Sequence, residues 1–144
     1  TTLRMHGIGE LRPQLEQRAR QPDLARQVCI AGPLDAVQLA SALRAARVLV
    51  IPSRIESIPL ILGDGAQAGV VVIGTDVGDV GRVIRAEGLG SVVPPEDPNA
   101  LADALLAELD DRRARRTAAH SHFSFEATAR RLLAALEAAP GEVA

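Results

Sequence analysis

No lysine occurs in this sequence, and all 16 of its basic side chains are arginine. Any role that needs a primary amine, such as a Schiff base or a lysine gripping phosphate, therefore has no candidate. Tryptophan and tyrosine are also missing, leaving Phe123 and Phe125 as the only aromatic residues. The core must be aliphatic, and there are no rings on which successive bases of a nucleic acid could stack. The formal charge of -2 gives no general attraction to phosphate backbones or anionic lipid, so no nucleic-acid partner is expected. A lone Cys29 inside an apolar run supports neither a disulfide framework nor a thiolate zinc site, and points to the reducing cytoplasm. No apolar run approaches the ~20 residues of a membrane-spanning helix, and no charged segment followed by an apolar one opens the chain as a signal peptide would. The first residue is Thr1, and the full protein is expected to begin earlier.

What is present is 47% hydrophobic and 24% charged residues over 144 positions, enough for one ordinary core and short for two. A single domain spanning 1–144 is the expectation. Leu3 to Gly7 reads as a strand, and Gly7 and Gly9 turn it into a helical segment from Glu10 to Arg20, with Leu11 and Leu15 four apart. Gln27 to Ala31 is a strand stopped by Gly32 and Pro33, and Asp35 is placed to cap a helix carrying Val37, Leu39, Ala40 and Leu43. Val48 to Ile51 is a strand, Pro59 to Ala68 a helix, Val70 to Ile73 a strand, Asp79 to Arg85 a short helix, and Ser91 to Val93 a strand. Asn99 to Leu109 and Phe125 to Ala138 read as amphipathic helices separated by the charged joint DDRRARR. Runs of β-branched residues without polar alternation indicate strands buried on both faces, as in a parallel sheet. Alternation of such strands with helices predicts an α/β class, a Rossmann-like doubly wound parallel sheet with flanking helices.

The chemistry concentrates between Arg47 and Asp76. Glu56 follows a strand by a few residues, which puts it at the carboxyl edge of the sheet, where open α/β folds bind ligands. Pro59 falls in the first turn of the next helix, where a missing N–H costs nothing. The free N–H groups and dipole of that turn favour an anion such as a diphosphate. Asp64 lies one turn beyond Leu60, where a carboxylate can accept hydrogen bonds from ribose hydroxyls. Hydroxyls at both ends and phosphate between them describe a nucleotide sugar. The residues leave a plainer reading open: Glu56 as a solvated loop charge or a carboxylate complementing the helix dipole, Asp64 as a surface charge. Gly63 and Gly65, at ~1 kcal/mol each relative to alanine, mark either close approach of the helix to sheet or ligand, or sequence drift.

The stretch PSRIESIPLILGDGAQAG resembles the E-x7-E region of retaining, GT-B-fold glycosyltransferases that use nucleotide-sugar donors, with seven residues between Glu56 and Asp64. Further segments match in order: GIGE resembles the turn after the family's second strand, TDVGD its glycine loop, GSVVPPEDPNALADAL its tail and FSFEATARRLL its closing helix, here 124–139. The resemblance covers almost the whole chain and implies the C-terminal, donor-binding half of a two-domain enzyme. By that resemblance Glu56 contacts hydroxyls of the donor sugar and is the catalytic residue of the site. Backbone amides of Ser57, Ile58, Pro59 and Leu60 mark the segment holding sugar and phosphate, and Asp64 contacts the ribose. Gly32 and Pro33 would line the base, with Gly7 and Gly9 bordering the same cleft. Transfer would proceed without an obligatory metal or other cofactor, the leaving diphosphate being stabilised by N–H groups and basic side chains.

Five departures from the family pattern stand out. Asp64 is one methylene shorter than the family's glutamate, Val71 stands for a proline, and Gly81-Arg82 reverses the charge beside the glycine loop. The family's first strand of this domain, with its arginine- and lysine-bearing loop, has no counterpart, and neither does the N-terminal acceptor domain. Without that strand the sheet would be left with a gap between the strands at Leu3 and Val48. The residues would then belong to a longer protein, or the two flanking strands would pair directly, or a partner chain would complete the sheet and form an oligomer. The chain alone is not expected to turn over.

Other candidates are weaker. Gly7-Ile8-Gly9 begins a dinucleotide fingerprint, but Arg12 occupies the third glycine position and the plain reading is a tight turn. Arg112 to Arg116 read as a solvated junction, with a domain interface or acceptor surface as the alternative. His6, His120 and His122 lack metal-ligand spacing, His6 being the one near the cleft edge. Ser53 lacks the glycines of a nucleophile elbow. The leading expectation is therefore a retaining glycosyltransferase donor domain taking UDP-, GDP- or ADP-linked sugar. A sugar-nucleotide epimerase of the same fold would need a histidine pattern that is absent, and a non-catalytic, degenerate nucleotide-binding or interaction domain is the reading from a different class.

Overall fold

Each apolar run expected as a strand is one, and each amphipathic segment is a helix, in the computed structural model, which describes residues 1–110 and 124–137. The order is β1 (Leu3–His6), α1 (Arg12–Ala19), β2 (Val28–Ala31), α2 (Ala36–Ala45), β3 (Val48–Ile51), α3 (Leu60–Ala68), β4 (Val71–Thr75), α4 (Val80–Ala86), β5 (Gly90–Val93), α5 (Pro98–Asp110) and α6 (Phe125–Glu137). All strand pairs are parallel, as uniform apolar strands joined by helices require. The strands form two sheets, β1-β2 and β3-β4-β5, so β1 and β3 do not pair with each other. Two compact units result, Thr1–Ser41 and Ala42 onward, with the division inside α2.

In the first unit β1 and β2 run in register from Leu3 opposite Val28 to His6 opposite Ala31. Burial of strands on both faces, expected from their composition, fails here, because every residue of β1 is exposed, Leu3 at 48% and Met5 at 38%. The reason is coverage: α1 buries no residue, and packs on β2. Asp35 caps α2 as its side chain chemistry dictates, Oδ1 accepting the Gln38 N–H at 2.8 Å while Gln38 Oε1 accepts the Asp35 N–H at 3.1 Å, a reciprocal cap.

The second unit holds the core. Ile51 of β3, Leu62 and Ala66 of α3, Val72 of β4, Val80, Val83 and Ile84 of α4, and Leu89 form one aliphatic cluster, with Leu62, Val72, Val80 and Ile84 fully inaccessible. β4 lies between its two neighbours and is buried from Val72 to Thr75, the pattern its composition implies. Helices α3, α4 and α5 flank this sheet. Gly65 of α3 resolves in favour of packing: a β-carbon there would lie 2.7 Å from Leu49 Cδ2, so its absence lets the helix approach the sheet. Gly90 lies against the Val72 backbone in the same way. Gly69, at φ 66°, ends α3 by donating to the Ala66 and Gly65 carbonyls. Pro59 is not in the first helical turn, as expected, but caps it at ψ 140°; the extended conformation lets its fixed φ of -72° precede the helix without entering it. At the other end of the sheet Arg47 donates from Nη2 to the Leu109 carbonyl at 2.9 Å, at the C-terminal end of α5.

Candidate functional site

The loop from Pro52 to Pro59 leaves the carboxyl end of β3 and is held on one side by the turn between β4 and α4. Thr75, the last residue of β4 and buried, donates its hydroxyl to the Ser53 carbonyl at 2.6 Å and lies 3.4 Å from that of Ile51. The Asp79 N–H donates to the Ser57 carbonyl at 3.1 Å. Between these, Gly78 presses against the Glu56 carbonyl so closely that any β-carbon there would overlap it, and Gly78 has the left-handed φ of 50°. Three carbonyls of the loop are thus engaged from one direction.

A trans peptide directs its N–H opposite to its carbonyl. The N–H groups of Ser57 and Ile58 therefore face away from the turn. That of Ser57 donates to Glu56 Oε1 at 3.1 Å, which brings the half-buried Glu56 carboxylate to the same side. Among the described residues the N–H groups of Ile58, Leu60 and Ile61 have no acceptor. Those of Leu60 and Ile61 belong to the start of α3, which has no side-chain cap. A carboxylate that accepts from hydroxyls, beside backbone donors and the positive end of a helix dipole, forms a surface for a hydroxylated, anionic ligand. Ile55 and Leu60, 94% and 89% exposed, give it an apolar rim. Asp64 is exposed, one turn along α3 from Leu60, and has no hydrogen-bond or ionic partner among the described residues.

Charge in this unit is matched locally. Arg85 grips Asp76 with two hydrogen bonds, of 3.2 and 2.6 Å, and these hold the Asp76 carboxyl below its ordinary value. Arg82 donates from Nε to Asp79 Oδ1 at 2.8 Å, lowering Asp79 in turn, so the reversed charge seen in the sequence is satisfied by the residue at the start of α4. Gly81 leaves the room that the Asp76 carboxylate occupies. Arg54, after β3, pairs with Glu96, after β5, at 3.2 Å with both side chains exposed. Glu96 sits at φ 58°, the positive-φ residue other than glycine among those described, a conformation that costs about 1–3 kcal/mol.

The other expected residues lie in the first unit. Gly7, at φ 148°, donates to the Ala31 carbonyl at 3.3 Å. Arg12 spans the two strand ends, Nη1 reaching the Gly7 carbonyl at 3.1 Å and that of Ala31 at 3.3 Å, while Nε pairs with Glu16 at 2.8 Å. The residue in the third glycine position is thus a structural clamp across the two strand ends. His6 Nδ1 lies 3.2 Å from the Gly32 carbonyl, a contact that ties β1 to the end of β2. Gly9, Gly32 and Pro33 cluster at the same ends in sequence, and a β-carbon at Gly9 or Gly32 would meet nothing within 4 Å. Arg112 to Arg116, His120 and His122 lie outside the described residues. Among the described residues no group of three metal-ligating side chains is assembled, and no helix is long and apolar enough to cross a membrane.

Sequence reasoning missed Thr75 and the Arg54–Glu96 link, and took in Gly78 only as part of TDVGD. The signal for Thr75 was a hydroxyl closing an otherwise apolar buried strand, a polar group that must find an acceptor. Nothing local announces an ion pair between residues 54 and 96.

Comparison with known proteins gives a consistent picture. The family model described as glycosyl transferases group 1 matches residues 1–111. A D-inositol 3-phosphate glycosyltransferase of Jonesia denitrificans is 32% identical over 136 residues, 90% of this chain and 31% of that protein. A glycogen synthase of Mycobacterium tuberculosis is 32% identical over 120 residues, 80% of this chain and 29% of that protein. Sucrose-phosphate synthase from Thermosynechococcus elongatus superposes with a TM-score of 0.74 at 31% identity, covering 90% of this chain and 35% of that one. The Anabaena protein HepE in complex with UDP-glucose superposes with a TM-score of 0.77 over 96% of this chain and 41% of that one; at 16% identity this is a likeness of fold. The chain spans about a third of the length of the curated relatives it matches.

Proposed function

The chain belongs to the group 1 glycosyltransferases, and on that footing we propose that it is the donor-binding part of a retaining enzyme that moves a sugar from a nucleotide-diphosphate sugar to an acceptor. The observation that carries this reading is the one-sided loop after β3: its carbonyls are engaged by the end of β4 and the β4–α4 turn, while the N–H groups of Ile58, Leu60 and Ile61 have no acceptor among the described residues and lie beside the Glu56 carboxylate. Glu56 accepts hydrogen bonds from the donor sugar. The segment from Ser57 to Leu60, through the N–H groups of Ile58 and Leu60 and together with the start of α3, receives sugar and phosphate oxygens, and Asp64 accepts from the ribose. A protein of like fold is known with UDP-glucose bound, which supports a donor of this class. The leaving diphosphate is stabilised by amides fixed before reaction begins, which act in full on the charge that develops, with no obligatory metal. An acceptor-binding domain in the same protein completes the enzyme, in keeping with relatives about three times as long, and the work is done in the cytoplasm.

A non-catalytic nucleotide-binding or interaction domain is the second reading. It is favoured by the pairing of Arg54 with Glu96 and of Arg82 and Arg85 with acids of the same unit, in a chain with no lysine. Calorimetry of this chain, and of the longer protein containing it, against UDP, GDP, ADP and their sugars separates the two. Saturable binding that is lost in Glu56→Ala and weakened in Asp64→Ala, with transfer to an acceptor by the longer protein, supports the enzyme. Binding without transfer favours the second reading, and no saturable binding by either overturns the donor site.

A further inference from the structure

The turn between β4 and α4 packs against the loop of Glu56 through its backbone. We infer that Gly78 is a positioning residue for the sugar end of the donor site, an inference that rests on the function proposed above. Four observations lead there. Gly78 holds φ 50°, which glycine adopts without strain. Its α-carbon packs so near the Glu56 carbonyl that no β-carbon fits, and the clash is with backbone, which cannot rotate away as a side chain can. The next residue, Asp79, donates to the Ser57 carbonyl at 3.1 Å. Planarity of the two peptides then turns the Ser57 and Ile58 N–H groups to the opposite side, where the first holds Glu56 Oε1 at 3.1 Å and the second has no acceptor among the described residues.

A side chain at position 78 pushes the Glu56 carbonyl aside and rotates the peptide that carries the Ser57 N–H. The Glu56 carboxylate loses the donor that orients it, while Asp64 and the start of α3 stay where α3 packs. Recognition of the sugar should therefore fail before recognition of the nucleotide.

The glycine at 88 supplies the control. It has φ 61°, close to the φ of Gly78, but a β-carbon there meets nothing within 4 Å. Gly78→Ala and Gly88→Ala both place a side chain at a left-handed φ and differ in the contact with Glu56. Binding of UDP-glucose and of UDP to both variants is measured by calorimetry on the full-length protein, with melting temperatures, and with GDP- or ADP-glucose in place of these if the wild type prefers them. The expected result is that the ratio of sugar-nucleotide to nucleotide affinity falls on the order of ten-fold in Gly78→Ala, the loss of one hydrogen bond to a charged group, and is unchanged in Gly88→Ala. An unchanged ratio in Gly78→Ala, with the wild type binding, overturns the positioning role and leaves the donor site standing. A wild type that binds no sugar nucleotide overturns both. Should Gly78→Ala fail to fold, Thr75→Val releases the same loop at Ser53 without added bulk and should show the same selective loss. Thr75→Ser, which keeps the hydroxyl, should restore it, and no loss in Thr75→Val overturns the inference.

Discussion

The hydroxyl of Thr75 donates to the carbonyl of Ser53 at 2.6 Å, joining the end of a buried strand to the loop that carries Glu56. The link spans 22 residues of sequence and is made inside the unit's core, since Thr75 is 5% exposed. Replacing it by valine keeps the shape and leaves the Ser53 carbonyl without that donor. Thr75→Val is expected to cost about 1–3 kcal/mol. Urea denaturation checks it: the midpoint should fall with little change in slope, and Thr75→Ser should recover most of the loss.

Gly90 faces the backbone of Val72 across the β4–β5 ladder, and a β-carbon there would overlap the Val72 carbonyl. Unlike Gly65, whose nearest neighbour is the movable end of Leu49, this position has no side chain to yield. Gly90→Ala is expected to destabilise by about 1–3 kcal/mol or more, and Gly65→Ala by less, because repacking of Leu49 and the helix preference of alanine offset part of the strain. Paired melting curves of the two variants decide the order.

Asp64 is exposed and has no partner among the described residues, so substitutions there should leave stability alone and act on the ligand. If it accepts from ribose, Asp64→Glu extends its reach by a methylene. UDP affinity should then rise by about two- to ten-fold, and fall by a similar factor in Asp64→Ala. Titration calorimetry with unchanged melting temperatures checks both directions. Equal affinities in all three proteins remove Asp64 from the site.

Asp76 is held below its ordinary carboxyl value by hydrogen bonds from Arg85. Because the folded-state value is depressed, the folded protein gives up this proton more readily than the unfolded chain. The stabilisation is complete above the unfolded value of about 4 and disappears as the pH falls through the lower, folded one. The margin of the wild type over Asp76→Asn should therefore be constant near neutrality and shrink below about pH 4. Thermal melts of both proteins from neutral to acid pH check this, and a margin that grows on acidification contradicts it. The side chains are about half exposed, so the margin is small and should shrink further in salt.

Much of the fold was legible because its signals are local. Four- and five-residue apolar runs between glycine and proline breakers gave the strands to within a residue or two, and Asp35 with Gln38 shows why a cap can be read from spacing. Exposure of β1 was not legible, since composition reports what a strand could bury and not what covers it. Pro59 marked the start of α3 but not its side of the boundary, because a fixed φ suits both an extended cap and a first helical turn.

By itself the sequence determined the class of fold, the order of its elements and the placement of Glu56 at a strand's carboxyl end, because all three follow from periodicity, breakers and chain direction. Its lack of lysine also settled which chemistries were closed. Tertiary structure alone decided which way the Glu56 loop faces: the Thr75 hydroxyl, the Asp79 N–H and the bare α-carbon of Gly78 meet it from 20 or more residues away in the chain. Peptide planarity converts those contacts into an outward-facing set of N–H groups. That orientation is a property of two loops packed together, and neither loop's residues encode it alone.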